Sequence, residues 1–168
     1  MGRGNLVEDT MTYLFMAFFA ALILAADQFT KFLTVANIPL FGRVDFLPGI
    51  VSLTYVQNDG AAFSMLEGQQ WLFAVVFAVF AAFIVWEFSK KRMPFTTFER
   101  FCIVAVFAGG LGNMIDRLRL GYVVDMIAAD FIKFPVFNVA DIFITCGCIL
   151  LMVHLVFLNK EFWKDEKK

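Results

Sequence analysis

Four apolar runs, at about 11–30, 71–89, 101–117 and 139–158, dominate this chain. A helix crossing the hydrocarbon core of a bilayer needs about 20 residues, with about 17 at the short end. The second and fourth runs reach that length by themselves. The first and third are most apolar over 11–26 and 101–115 and need their flanks. Only 17% of the 168 residues are charged, while 61% are hydrophobic and 23 are Phe. A soluble domain carries roughly 25% charged and 45–50% apolar residues. A chain this short has too little polar surface to cover such a core in water. The expectation is an all-α membrane protein, one domain over 1–168, built as a bundle of four transmembrane helices.

The leader MGRGNLVEDT holds one Arg and two acids, a poor positive n-region, so the first run is expected to stay as a helix. A net charge of −1 offers no footprint for nucleic acid. Cys102, Cys146 and Cys148 are odd in number and lie in apolar runs. They read as small buried hydrophobes, not as a disulfide framework.

Positive charge orients membrane helices. Arg3, Lys90, Lys91, Arg92, Arg100, Lys160, Lys164, Lys167 and Lys168 fall on one side, nine of the 14 Lys and Arg. Lys31, Arg43, Arg117, Arg119 and Lys133 fall on the other. The richer side is expected in the cytoplasm, with both termini. Residues 27–70 and 117–138 then face outward. Within the first of these segments, IVSLTYVQ alternates apolar and polar residues between the turn signals Pro48-Gly49 and Asn58-Asp59-Gly60. That pattern predicts a strand, and a small sheet resting on the membrane surface.

The polar residues near the spans share this outer edge. Asp27 and Lys31 are i,i+4 and can pair. Asn113 precedes Asp116 by three residues, and Arg117 follows. Asn138 and Asp141 open the fourth run, where Asn138 can cap the helix through the Asp141 N–H. A charge at a span centre costs about 2.5–3.5 kcal/mol, and less near the interface. Adjacent cations account for Asp27 and Asp116 as ion pairs with Lys31 and Arg117. Asp130 has Lys133 nearby and reads as solvated. Asp125, in the loop between the third and fourth runs, and Asp141 have no basic residue within four positions. Gly109, Gly110 and Gly112 lie in the third run, where Ala108 and Gly112 make a small-xxx-small pair that permits close helix approach.

The single His, His154, lies toward the far end of the fourth run, so a Ser–His–Asp system at the outer edge is excluded. There is no H-E-x-x-H, no P-loop and no G-x-G-x-x-G, and no metal or cofactor is expected. Two carboxylates sharing a proton can hydrolyse a peptide bond. The same acids could instead relay protons in a small transporter or serve an assembly factor. A transporter needs polar groups near the midplane, and the second and fourth runs have almost none below the outer edge.

Five motifs occur in order: DQFTK (27–31), NDGAAFS (58–64), GNMIDR (112–117), VVDMI (123–127) and FNVADIFI (137–144). Together they resemble the lipoprotein signal peptidases, the second class of bacterial signal peptidase and membrane aspartic proteases. The resemblance implies four transmembrane helices, cytoplasmic termini and an extracytoplasmic β-cradle in the cell membrane. It implies Asp125 and Asp141 as the catalytic pair. Asn58, Gly60, Asn113, Arg117 and Asn138 would line the substrate site, with Asp27, Lys31 and Asp116 in support. The implied substrate is a diacylglyceryl-modified prolipoprotein, cut just before its lipidated cysteine. Membrane lipids are the expected surroundings and a monomer the expected state. Met126 departs from the Phe often found after the first catalytic Asp, an apolar exchange.

Overall fold

The computed structural model describes residues 3–60, 69–90 and 93–164, with side chains from residue 10 onward. Residues 61–64 of the second motif lie outside the described residues, as do Lys91, Arg92, Lys167, Lys168 and the Arg3 side chain. The order is α1 (Arg3–Asn37), β1 (Arg43–Leu47), β2 (Val51–Asn58), α2 (Gln70–Lys90), α3 (Thr97–Leu120), β3 (Val123–Ala129) and α4 (Val139–Val153). A π-helical segment, His154–Leu158, prolongs α4.

Four helices are long and apolar enough to cross a membrane: Thr10–Asn37, Gln70–Lys90, Thr97–Leu120 and Val139–Leu158. The flanks do join the first and third, so both are longer than the apolar runs alone. α3 is the central helix. In its most apolar window 56% of residues are buried, against 6–17% in the other three. Its start is set by Thr96 and Glu99, which form a reciprocal capping box, and its end by Gly121 in the left-handed region at φ 83°.

Small residues allow the close packing. A Cβ on Gly109 would stand 2.6 Å from the carbonyl oxygen of Ala140 in α4, and one on Gly112 would stand 2.4 Å from Asp27 Oδ2 in α1. Gly109 therefore lets α4 approach, and Gly112 lets α1 approach, at the level of the polar residues; of the Ala108–Gly112 pair, it is Gly112 that makes a close approach.

The strands form one antiparallel sheet in the order β1-β2-β3. Ile38, Tyr55, Val124 and Met126 pack as its core, so the apolar Met126 serves packing. The strand expected at IVSLTYVQ is β2. The other two strands were not read from the sequence. Asp125, expected in a loop, lies on β3 opposite Val56. Asp130 is not simply solvated beside Lys133. It accepts hydrogen bonds from Arg43 (2.6 Å) and Ser52 (2.6 Å), tying the end of β3 to the sheet. Of the cysteines, Cys102 is buried, but Cys146 and Cys148 are exposed on α4, because that helix has little protein around it.

Candidate active site

β2 and β3 are in register with Asn58 opposite Val123 and Val56 opposite Asp125. Residues two apart on a strand share a face, so Asn58 is the diagonal neighbour of Asp125. Its Nδ2 donates to Asp125 Oδ2 at 2.9 Å. After β3 the chain turns and returns, and Ile127 bridges to Phe137. This return delivers Asn138 to the start of α4.

Asn138 joins the two acids. Its side-chain oxygen accepts from the Asp141 N–H at 3.0 Å, and its own N–H donates to Asp141 Oδ2 at 3.2 Å, a capping box. Its Nδ2 donates to Asp125 Oδ1 at 2.6 Å and to Asn113 Oδ1 at 3.1 Å. Asn113 Nδ2 in turn donates to Asp141 Oδ1 at 2.8 Å. Each carboxylate thus has both oxygens held by asparagine donors. Burial pushes the Asp125 carboxyl up to about 6. The hydrogen bond from Asn58 opposes this, and the neighbouring Asp141 charge reinforces it.

Beneath the acids lies an ion cluster. Lys31 Nζ reaches Asp27 Oδ2 at 2.9 Å, Asp116 Oδ2 at 3.0 Å and Asn113 Oδ1 at 2.8 Å. Asp27 and Lys31 are 0% and 3% exposed, which such charges tolerate only when paired. Asp27 Oδ1 also accepts from the Ala140 N–H at 3.0 Å, placing a negative charge at the N-terminus of α4. Asp116 Oδ2 accepts from the Val124 N–H at 3.1 Å. The expected Asp27–Lys31 pair is present. The expected partner of Asp116, its neighbour Arg117, is not: Asp116 faces Lys31. Successive helical residues point in different directions, so adjacency in sequence is a poor guide here.

Arg117 instead turns toward the cavity. Its Nη2 donates to the Gly60 carbonyl at 3.0 Å, and the guanidinium sits 4.2 Å from the ring centre of Phe73. The cavity holds about 810 Å³ and is lined at one end by Asn58, Gly60, Asn113, Arg117, Asp125 and Asp141. The rest of its wall is apolar, with Phe73, Val76, Phe77 and Phe80 from α2 and Ile142 and Ile144 from α4. All ten residues singled out in the sequence gather around this end. The sequence reading missed Gln28, whose Nε2 bridges Asp27, Asp116 and the Gly112 carbonyl. Its place inside the DQFTK motif was the available signal.

A separate polar knot lies at the opposite end of the bundle. Glu99 accepts from Asn159 and contacts His154 Nδ1 at 2.9 Å. His154 is therefore remote from the acids, as expected. Among the described residues, no group of three His, Cys, Asp or Glu could hold a metal ion.

A family model described as Signal peptidase (SPase) II matches residues 19–157. The chain belongs to the signal peptidase II family. A lipoprotein signal peptidase of Streptococcus pyogenes serotype M1 is 43% identical over 145 residues, covering 86% of this chain and 90% of that protein. The serotype M18 relative matches to the same extent. Two solved structures described as a bacterial membrane enzyme have the same fold. One, at 2.3 Å, gives a TM-score of 0.81 with 30% identity over 91% of this chain and 93% of that one. The other, at 1.9 Å, gives 0.77 with 30% identity over 86% and 94%. As a signal peptidase II, the chain is a multi-pass bacterial membrane peptidase.

Proposed function

We propose that this signal peptidase II is an aspartic endopeptidase that removes the signal peptide of diacylglyceryl-modified prolipoproteins, cutting just before the lipidated cysteine. The observation that carries the reading is the pair Asp125 and Asp141. They come from different elements, line one cavity and are joined by Asn138. Two adjacent carboxylates in a low-dielectric site do not both ionise. The ionised one takes a proton from water, whose oxygen attacks the scissile carbonyl carbon. The neutral one gives its proton to the carbonyl oxygen. Collapse of the tetrahedral intermediate returns that oxygen to a carbonyl, and the leaving nitrogen takes up a proton from the dyad. Asn58, Asn113 and Asn138 hold the acids, and Gly60 and Arg117 border the peptide. The apolar wall suits an acyl chain or the greasy signal segment. Asp27, Lys31 and Asp116 support this arrangement.

A proton-relay role fits less well. Below the ion cluster, Ile23, Ala105 and Ala108 form a buried apolar layer with Phe19 and Phe143 packed on it. That layer separates the acids from the Glu99–His154 knot, where a relay would need polar groups. By the positive-inside rule, the acids face the extracytoplasmic edge and both termini the cytoplasm. The enzyme acts as a monomer among membrane lipids.

The test uses purified enzyme in micelles with a synthetic prolipoprotein segment, diacylated or bare at the cysteine. The proposal expects a new N-terminal cysteine by mass spectrometry from the diacylated form alone. Equal cleavage of both forms, or cleavage at another bond, would contradict it.

A further inference from the structure

Lys31 stands 2.8 Å from Asn113 Oδ1, a contact that the pairing of Lys31 with Asp27 and Asp116 does not require. We infer that Lys31 is a positioning residue for catalysis, and that its ammonium fixes which way the Asn113 amide faces. This rests on the dyad reading above. The amide has two faces with opposite chemistry. Its oxygen receives Lys31 Nζ and Asn138 Nδ2, while its nitrogen donates to Asp141 Oδ1. A flipped Asn113 would set its oxygen against the Asp141 carboxylate and its NH2 against the NH2 of Asn138. Both contacts would then be repulsive.

The Asn138 donor alone is a weak guard against this. Its Nδ2 carries two N–H groups, and the one facing Asn113 reaches it only over 3.1 Å, against 2.6 Å for the other to Asp125 Oδ1. An ammonium has donors and no acceptor, so it can face only the oxygen of the amide. It is also held rigidly, being 3% exposed and pinned by carboxylates from α1 and α3. The chain Lys31, Asn113, Asn138 thus carries a fixed donor direction from the ion cluster to both acids. The charged groups around Lys31 are Asp27 on its own helix and Asp116 on α3, with Asp125 and Asp141 farther off.

Removing Lys31 alone leaves Asp27 and Asp116 both without their cation, so Lys31→Met is read in the charge-balanced pair Lys31→Met/Asp116→Asn, which keeps the net charge of the cluster and leaves Asp27 to the Ala140 N–H and Gln28, with Asp116→Asn as reference. Kinetics on the diacylated segment should show kcat about ten-fold or more below the reference, with KM within about two-fold, since the lost interaction acts on chemistry and not on binding. Adding Asn113→Ala to both backgrounds closes a cycle. If Lys31 acts through the amide, the triple variant should be no slower than Asp116→Asn/Asn113→Ala within about two-fold, because residues acting as a unit are non-additive. Multiplying losses, or a rise in KM at unchanged kcat, would overturn the inference. So would loss of the folded state in the charge-balanced pair, since Lys31 would then be a structural strut. Failure of the dyad itself reads differently: Asp125→Asn would retain turnover whatever Lys31 does.

Discussion

Asn138 makes four of its hydrogen bonds to three residues of the site, Asn113, Asp125 and Asp141. Its N-cap role was legible from Asn138 and Asp141 at i,i+3. Its second role, reaching Asp125, was not, because that contact depends on the chain returning along β3. The two acids stood out for a simple reason: no basic residue near them in sequence could neutralise them. The same reasoning misassigned Asp116, whose cation comes from another helix. Asp125 carries a testable cost. Its folded-state carboxyl is raised from 3.8 to about 6, so its stabilising contribution is fully present below pH 3.8 and is lost as pH rises through 6. At pH 8 the ionised group opposes folding. Asp125→Asn sets one amide NH2 against an asparagine donor at every pH, so the pH dependence is what carries the signal: relative to the parent, the variant should gain about 1–3 kcal/mol between pH 4 and pH 8. Chemical denaturation in micelles at the two pH values measures this, and a difference between variant and parent that does not change with pH would contradict it.

The spanning helices were legible because length and hydropathy define them. The sheet was legible only in β2, where apolar and polar residues alternate. β1 is short and exposed along its whole length. Its alternation covers only residues 43–46, too few to mark a strand, while β3 reads VVDMIAA and buries its first four residues in a row, with no period of two. The glycines of α3 were legible as packing residues but not in their partners. Gly112 lies where Asp27 must approach the α3 backbone. Gly112→Ala should push Asp27 off the Ala140 N–H and loosen α1 from α3 and α4. The expected loss is about 2 kcal/mol or more, in the range of overpacking. Thermal unfolding of the purified variant measures it, and a midpoint unchanged from the parent would show that the approach can relax. Gly121 lies in open space at φ 83°, so Gly121→Ala should destabilise through backbone strain alone, by about 1 kcal/mol.

At the scale of the whole molecule, the fold does one thing for the site. It brings a strand residue and a helix residue, Asp125 and Asp141, to the same end of a bundle whose other end is tied by Glu99, His154 and Asn159. The orientation of that bundle was read from charge alone. In a background with the three cysteines replaced by Ala, a cysteine at Asp45 should react with an impermeant maleimide added to intact cells, and one at Lys160 should not. The reverse pattern would put the acids on the cytoplasmic face. The proposed chemistry turns on Asp125 and Asp141 acting as a unit. Its most direct test is single-turnover cleavage of a diacylated prolipoprotein segment by Asp125→Asn, Asp141→Asn and the double variant, each verified as folded. A lost general base should cost about 10²–10⁴-fold. Each single variant should fall below about a hundredth of the parent rate, with the double variant hardly slower than either, because a dyad broken once is already broken. Turnover above about a hundredth by either single variant, or losses that multiply in the double variant, would contradict it.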